Sequence, residues 1–455
     1  MKSRVMTCII AMTVFAALVT PIQLAAQDQQ EHHKKQTHYI VKDLGTLGGT
    51  FADAEGLDNK GWSVGESRLA GDIVIHAALW RDGELIDLGT LGGLNSVNAP
   101  FPTSNDRGLI VGPAETSAVD PFAENFCGLP FTTGLMCRGF LWMDGVMTAL
   151  PTLGGNNGEA ATANNGGQVV GTAETSVYNS SCVPPQVFDF EPVIWGREEK
   201  GDDGEFHIHQ LPLLSGDTDG IATGINDLGQ VVGVSGSCTA LSSVGRAVIW
   251  QHDIATDMGD LGGTLYNLPL AINNRGQVVG VSSLPGDTTF STFLWQAGVM
   301  ADLGMLPGDA SSVAFGINNH GQVVGTSCSG ILATGNCRAY IWQDGAMTDL
   351  NTLVKSASTS FPLLFANQIN DRGEIAGIAA LAYDPTQGEG RAFLAIPCDE
   401  THASYEGCAD STAGPAAAAQ AVSERPRVIL PEGVRGQLQK RRGLGRFAGG
   451  PVTPQ

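Results

Sequence analysis

The stretch Leu270-Ala271-Ile272-Asn273-Asn274-Arg275-Gly276-Gln277-Val278-Val279-Gly280 contains one turn and the two short apolar runs it joins. Asn-Asn-x-Gly suits a type I turn followed by a glycine with positive φ, a common hairpin connection. The runs on either side are β-branched and too short for helices, so they read as paired strands. Moving outward, the same turn stands at Asp58–Gly61, Asn105–Gly108, Asn164–Gly167, Asn226–Gly229, Asn318–Gly321 and Asn370–Gly373, which with Asn273–Gly276 makes seven copies. A second glycine follows each at a fixed distance: Gly65, Gly112, Gly171, Gly233, Gly280, Gly325 and Gly377. Copies recur roughly every 45 to 62 residues, the period range of propeller blades and comparable arrays.

Each copy holds four strand-like runs, clearest in the fifth: Leu270–Asn273, Gln277–Gly280, Thr292–Trp295 and Val299–Leu303. Short turns such as Asp344-Gly345 join the third to the fourth, so a copy is a four-stranded antiparallel meander. One meander cannot bury both faces alone, and units of this kind stacked around an axis make a propeller. The predicted fold is therefore all-β, a seven-bladed β-propeller; the alternative is an open β-solenoid with capped ends. The last copy stops after Ala392–Ala395, whereas an unpaired strand, Tyr39–Leu44, precedes the first. We expect that N-terminal strand to complete the last blade and leave no open edge.

The succession Asp-Leu-Gly-Thr-Leu-Gly-Gly (Asp43–Gly49, Asp87–Gly93), Ile-Asn-Asn-x-Gly-Gln-Val-Val-Gly (Ile272–Gly280, Ile317–Gly325) and Phe-Leu-Trp resembles the HAF family of bacterial extracellular repeats. The similarity covers about residues 39 to 397, with three motifs in one order. It implies an extracellular location and a propeller-like fold, and carries no established activity with it.

Residues 1–26 begin with Lys2 and Arg4, continue through an apolar run and end on Ala25-Ala26, which reads as a secretory signal. A polar linker, 27–37, leads into the repeats at 38–397; residues 398–455 read as a disulfide-bearing segment followed by a disordered basic tail. Secreted, periplasmic or cell-surface placement is expected, with no membrane span, because no segment supplies the roughly 20 apolar residues a spanning helix needs. A net charge of −21 with no basic stripe in the repeats argues against a nucleic-acid partner. Eight cysteines remain after signal removal, an even number in an exported chain, which favours disulfides over metal. Cys127 with Cys137, Cys328 with Cys337 and Cys398 with Cys408 bracket short loops, leaving Cys182 and Cys238 to bridge adjacent copies.

The turns between strands one and two, and three and four, are uniformly tight and share one face; the variation lies on the other. There the connections Pro113–Arg138 and Thr172–Glu191 are long. Binding residues sit on variable loops held by a rigid scaffold, which places a ligand-binding face at Phe122, Phe126, Phe131 and Tyr178; packing of those loops onto their own blades is the structural alternative. The recurring Asn105, Asn164, Asn226, Asn273, Asn318 and Asn370, with Asp58 in the seventh copy, read as turn chemistry. Trp80, Trp142, Trp195, Trp250, Trp295 and Trp342 read as core packing between blades. Asp217 and Asp219 lack the later acidic ligand of a calcium loop, and His207 and His209 lack a third ligand. No nucleophile elbow, zinc-protease motif or phosphate loop occurs. Catalytic residues, metal and cofactor are therefore all expected to be none, although a propeller can aim carboxylates into its channel, and Glu55 and Glu159 are the acids to test for that. The expected function is a monomeric, non-catalytic binding or surface-interaction propeller whose partner is an extracellular glycan or an envelope protein; the alternative is a polysaccharide hydrolase or lyase.

Overall fold

In the computed structural model each repeated turn closes as its sequence dictates. The side chain of its first residue accepts backbone N–H groups two and four residues on, as Asn273 Oδ1 does from Arg275 and Gln277 at 3.0 Å each and Asp58 Oδ1 does from Lys60 and Trp62. The glycine that ends the turn has positive φ in all seven copies, from +70° at Gly276 to +88° at Gly61. The structure describes residues 37–408, apart from 99–100, 102, 129–132, 183, 197–205, 239–244, 331–335, 356–360, 381–389 and 407. The signal, most of the linker, the basic tail and Phe131 lie outside the described residues.

The second repeated glycine has a different reason. In six copies the first strand carries a bulge where two of its residues oppose one of the second strand, for example between Pro269 and Ala271. The bulge pushes a carbonyl against the second strand, and a Cβ at Gly280 would lie 2.1 Å from Leu268 O; the same clash, at 1.9 to 2.3 Å, holds for the other six. Only glycine fits that approach.

Strand pairing groups the described chain into antiparallel four-stranded meanders, as in Asn267–Ile272, Val278–Ser283, Phe290–Gln296 and Val299–Gly304 of the fifth copy. Copies one to six each supply four strands, and the seventh supplies Leu363–Ile369, Ile375–Ala380 and Gly390–Pro397. Its fourth strand is Tyr39–Asp43, antiparallel to the last, with Tyr39 opposite Pro397 and Asp43 opposite Phe393. That pairing, together with Asn370 Nδ2 donating to Asp58 O at 2.9 Å, joins the last blade to the first. The open solenoid is thereby excluded, and the described chain is a closed β-propeller. The only helical turn among the described residues is the 3-10 segment Leu350–Thr352.

Between blades the tryptophans pack as expected: Trp195 is fully buried and Trp250 nearly so, and their indole N–H groups donate to Pro151 O and Pro212 O. All four expected disulfides are present, Cys127–Cys137, Cys182–Cys238, Cys328–Cys337 and Cys398–Cys408.

Candidate functional site

The two segments read as long loops are in large part strand. In blades two and three the second strands, Ile110–Val119 and Val169–Tyr178, run for 10 residues each, against 6 for Val278–Ser283 in blade five. Their third strands, Leu135–Met143 and Phe188–Gly196, are lengthened to match. Two hairpins therefore extend past the rest of the ring on the variable face.

Three aromatic rings meet at their tips. Phe122 lies 5.2 Å from Phe188, edge to face, and Tyr178 lies 6.2 Å from Phe188 and 6.4 Å from Phe122. Phe122 is 44% exposed and Tyr178 60%, with Val119 and Val177 exposed beside them. Tyr178 and Phe122, expected on a ligand face, are thus on the surface and together, across a blade boundary. Phe126 corrects the expectation: it is 3% exposed and packs edge to face on Phe190 at 5.9 Å, so it belongs to the core. Phe188 was not singled out from sequence; it lies two residues before Phe190 on the same face of the strand, half-buried near the hairpin tip where Phe190 is buried further in.

Beneath the rings lies a group of buried carboxyls. Asn157 Nδ2 stands 3.1 Å from Asp120 Oδ2, 3.3 Å from Glu124 Oε2 and 3.1 Å from Glu174 Oε2. Burial, then the charge of Glu174, pushes the Glu124 carboxyl up to about 8, and burial raises Glu174 as well. On the other side of the same hairpin, burial and then the charges of Asp219 and Asp189 push Glu191 up to about 8.

Phe51, Phe101, Ile221, Leu268, Phe315 and Phe365 all belong to one buried apolar cluster that draws residues from every blade and so runs from blade to blade around the ring. Glu55, buried, and Glu159, half-buried, sit on the first strands of blades one and three, with blade two between them. At the opposite, tight-turn mouth there is a cavity of about 140 Å³ lined by the repeated turns. Its asparagines are engaged: beyond capping their own turns, Asn105, Asn164, Asn226, Asn273, Asn318 and Asn370 each donate Nδ2 to the main-chain oxygen of the next turn at 2.8 to 3.1 Å. The next residue repeats the pattern around the whole ring, each backbone N–H donating to the following blade's side chain, from Asn59 to Asp106 through Asp371 back to Asn59.

Asp217 pairs with Arg246 at 2.8 Å and accepts from Ser235, and Asp219 accepts from Phe190 N, Cys238 N and Thr218 Oγ1, so both acids tie loops down. His209 bonds Asp253 at 2.9 Å on the surface. Among the described residues the one set of metal-type ligands in mutual reach is Cys182, Asp189 and Cys238, and its two sulfurs are joined in the disulfide.

No protein-family model matches the chain, and no curated protein does. Among solved structures, the acylaminoacyl peptidase of Pyrococcus horikoshii aligns at 10% identity and a TM-score of 0.42 over 77% of this chain and 53% of its own; the chain thus spans about half the length of that enzyme. A gluconolactonase from Xanthomonas campestris aligns at 11% identity and 0.31, over 79% of this chain and 95% of its own. The polysaccharide lyase Uly1 aligns at 9% identity and 0.39, over 74% and 88%. No helix among the described residues is long and apolar enough to cross a membrane.

Proposed function

We propose that this chain is an exported, non-catalytic binding propeller related to the HAF repeats, and that it holds an extracellular glycan on the aromatic tips of blades two and three. The observation that carries this reading is the Phe122–Phe188–Tyr178 group, with two rings exposed on a rigid, disulfide-backed pair of hairpins. Aromatic rings supply broad apolar contact with few torsions to freeze, and Tyr178 adds a hydroxyl. Sugar rings present apolar faces ringed by hydroxyls, which suits such a surface.

The test is affinity electrophoresis of the intact protein through gels containing soluble cell-wall, plant or microbial polysaccharides, with the polysaccharide recovered and sized. One of them should retard the native protein and emerge uncut, and Tyr178→Ala should weaken retardation about tenfold, equivalent to about 1.4 kcal/mol. Retardation unchanged in Tyr178→Ala and Phe122→Ala removes the aromatic face from the reading, and a shortened polysaccharide replaces it with a hydrolase or lyase. Retention by no polysaccharide turns the search to an envelope protein.

A further inference from the structure

We propose that the blade three hairpin carrying Tyr178 and Phe188 is held on both flanks by buried carboxyl groups that must stay uncharged, so that the aromatic face is loosened when they lose their protons. This rests on the proposed binding reading only for its consequence, since the gripping contacts stand without a ligand.

On the blade two side the grip is Glu124, which is 2% exposed. Its Oε1 accepts Val187 N at 2.8 Å and Phe188 N at 3.3 Å, the backbone that enters the third strand beside the central ring of the aromatic group. Its Oε2 turns to Asn157 Nδ2, an amide with two hydrogens approached by three carboxyl oxygens. The amide cannot reverse, because Asn157 Oδ1 already accepts Cys137 N at 2.9 Å.

Glu174 is well supplied with donors: Asn156 N and Asn157 N on Oε2, Gln186 Nε2 on Oε1, and the nearby charge of Arg138. Asp120 accepts Phe122 N and Glu124 N. Glu124 is therefore where a proton satisfies the group, and it shares a hydrogen bond with Glu174.

On the blade four side the grip is Glu191, on the third strand itself and 9% exposed. Its Oε2 has no hydrogen-bond partner, its carboxyl bonds Gln210, and it faces Asp219 and Asp189. Those two are already provided for, Asp219 by Phe190 N, Cys238 N and Thr218, and Asp189 by Asn179 Nδ2 at 2.7 Å. An ionised Glu191 adds a third negative charge to a place where Gln210 donates to the carboxyl but Oε2 has no donor. Burying an unpaired charge is among the costliest changes a fold can undergo.

The direction follows. Each of these carboxyls is raised from an ordinary 4.5 to about 8, so its contribution is complete below the ordinary value and is lost as pH rises through the raised one. The hairpin is firmest in acid, weakens as pH rises through neutrality and has lost this support in mild alkali.

Hydrogen–deuterium exchange of the intact protein tests this without any ligand. Peptides from the blade three hairpin are compared with the blade five hairpin at about pH 6 and about pH 9, beside Glu124→Gln and Glu191→Gln, whose amides mimic the uncharged acids. Protection of the native blade three hairpin should fall about a hundredfold per ionising group between about pH 6 and about pH 9 relative to blade five, and each Gln variant should retain more of it. Protection that does not change with pH in the native protein overturns the proposal, as does a loss shared equally by blade five. Gln variants that track the native protein overturn it too. The comparison of hairpins within the native protein stands even where a variant does not fold. A protein that loosens as expected yet binds no polysaccharide refutes the glycan reading alone.

Discussion

Asn273 shows how much one repeated residue does. It caps its own turn through two backbone donors, bonds Gln277 Oε1, and reaches across the blade boundary to Asn318 O at 2.9 Å. Asn273→Ala leaves two part-buried N–H groups without their cap and cuts the link between blades, and should lower stability by about 2 kcal/mol in guanidinium unfolding at unchanged m. Asn273→Asp keeps the two acceptors and loses only the donor, as Asp58 does naturally, and should cost about half as much. The turn role was legible in the residue type, because Asn caps such turns wherever they occur. The bond to the next blade was not, because it spans 45 positions of sequence and depends on how two turns stand side by side.

At the scale of elements, the hairpins of blades two and three differ from the others in length and in covalent fastening. Cys127–Cys137 closes a separation of 10 residues inside blade two, whereas Cys182–Cys238 closes 56 and ties blade three to blade four. In the loop-entropy picture, removal of the first as a Ser pair should cost about 3 kcal/mol and removal of the second about 4 kcal/mol. Thermal unfolding of the two double variants ranks them, and equal losses would count against that entropic account. The sequence showed these connections as long and variable, and hence as the face to watch. It did not show that they continue as paired strand, because Ser and Glu in 115–117 and 174–176 carry little strand preference, and Glu115 and Glu174 stand opposite Cys137 and Phe190 only through the register of the folded hairpins.

For the described chain as a whole, ring closure rests on one five-residue strand. Tyr39–Asp43 completes the last blade, Tyr39 N donates to Leu353 O, and Cys398 N donates to His38 O. Deletion of residues 37–43 should leave Gly390–Pro397 as an open edge, lower the melting temperature, and give concentration-dependent association in sedimentation, since an unpaired edge recruits other strands. A truncated protein that stays monomeric with an unchanged melting temperature would show that closure does not depend on this strand. Periodicity alone determined the repeat, the meander and the closing strand, because each follows from local turn chemistry and strand alternation recurring along the chain, whereas the disulfide connectivity was settled by which cysteines the fold brings together. Only the tertiary structure decided that Phe126 is core while Phe122 and Tyr178 are surface, that one apolar cluster draws on every blade, and that carboxyls from blades two, three and four flank one hairpin. Those facts depend on which side chains converge from different blades, and convergence across a closed ring leaves no periodic signal in the chain.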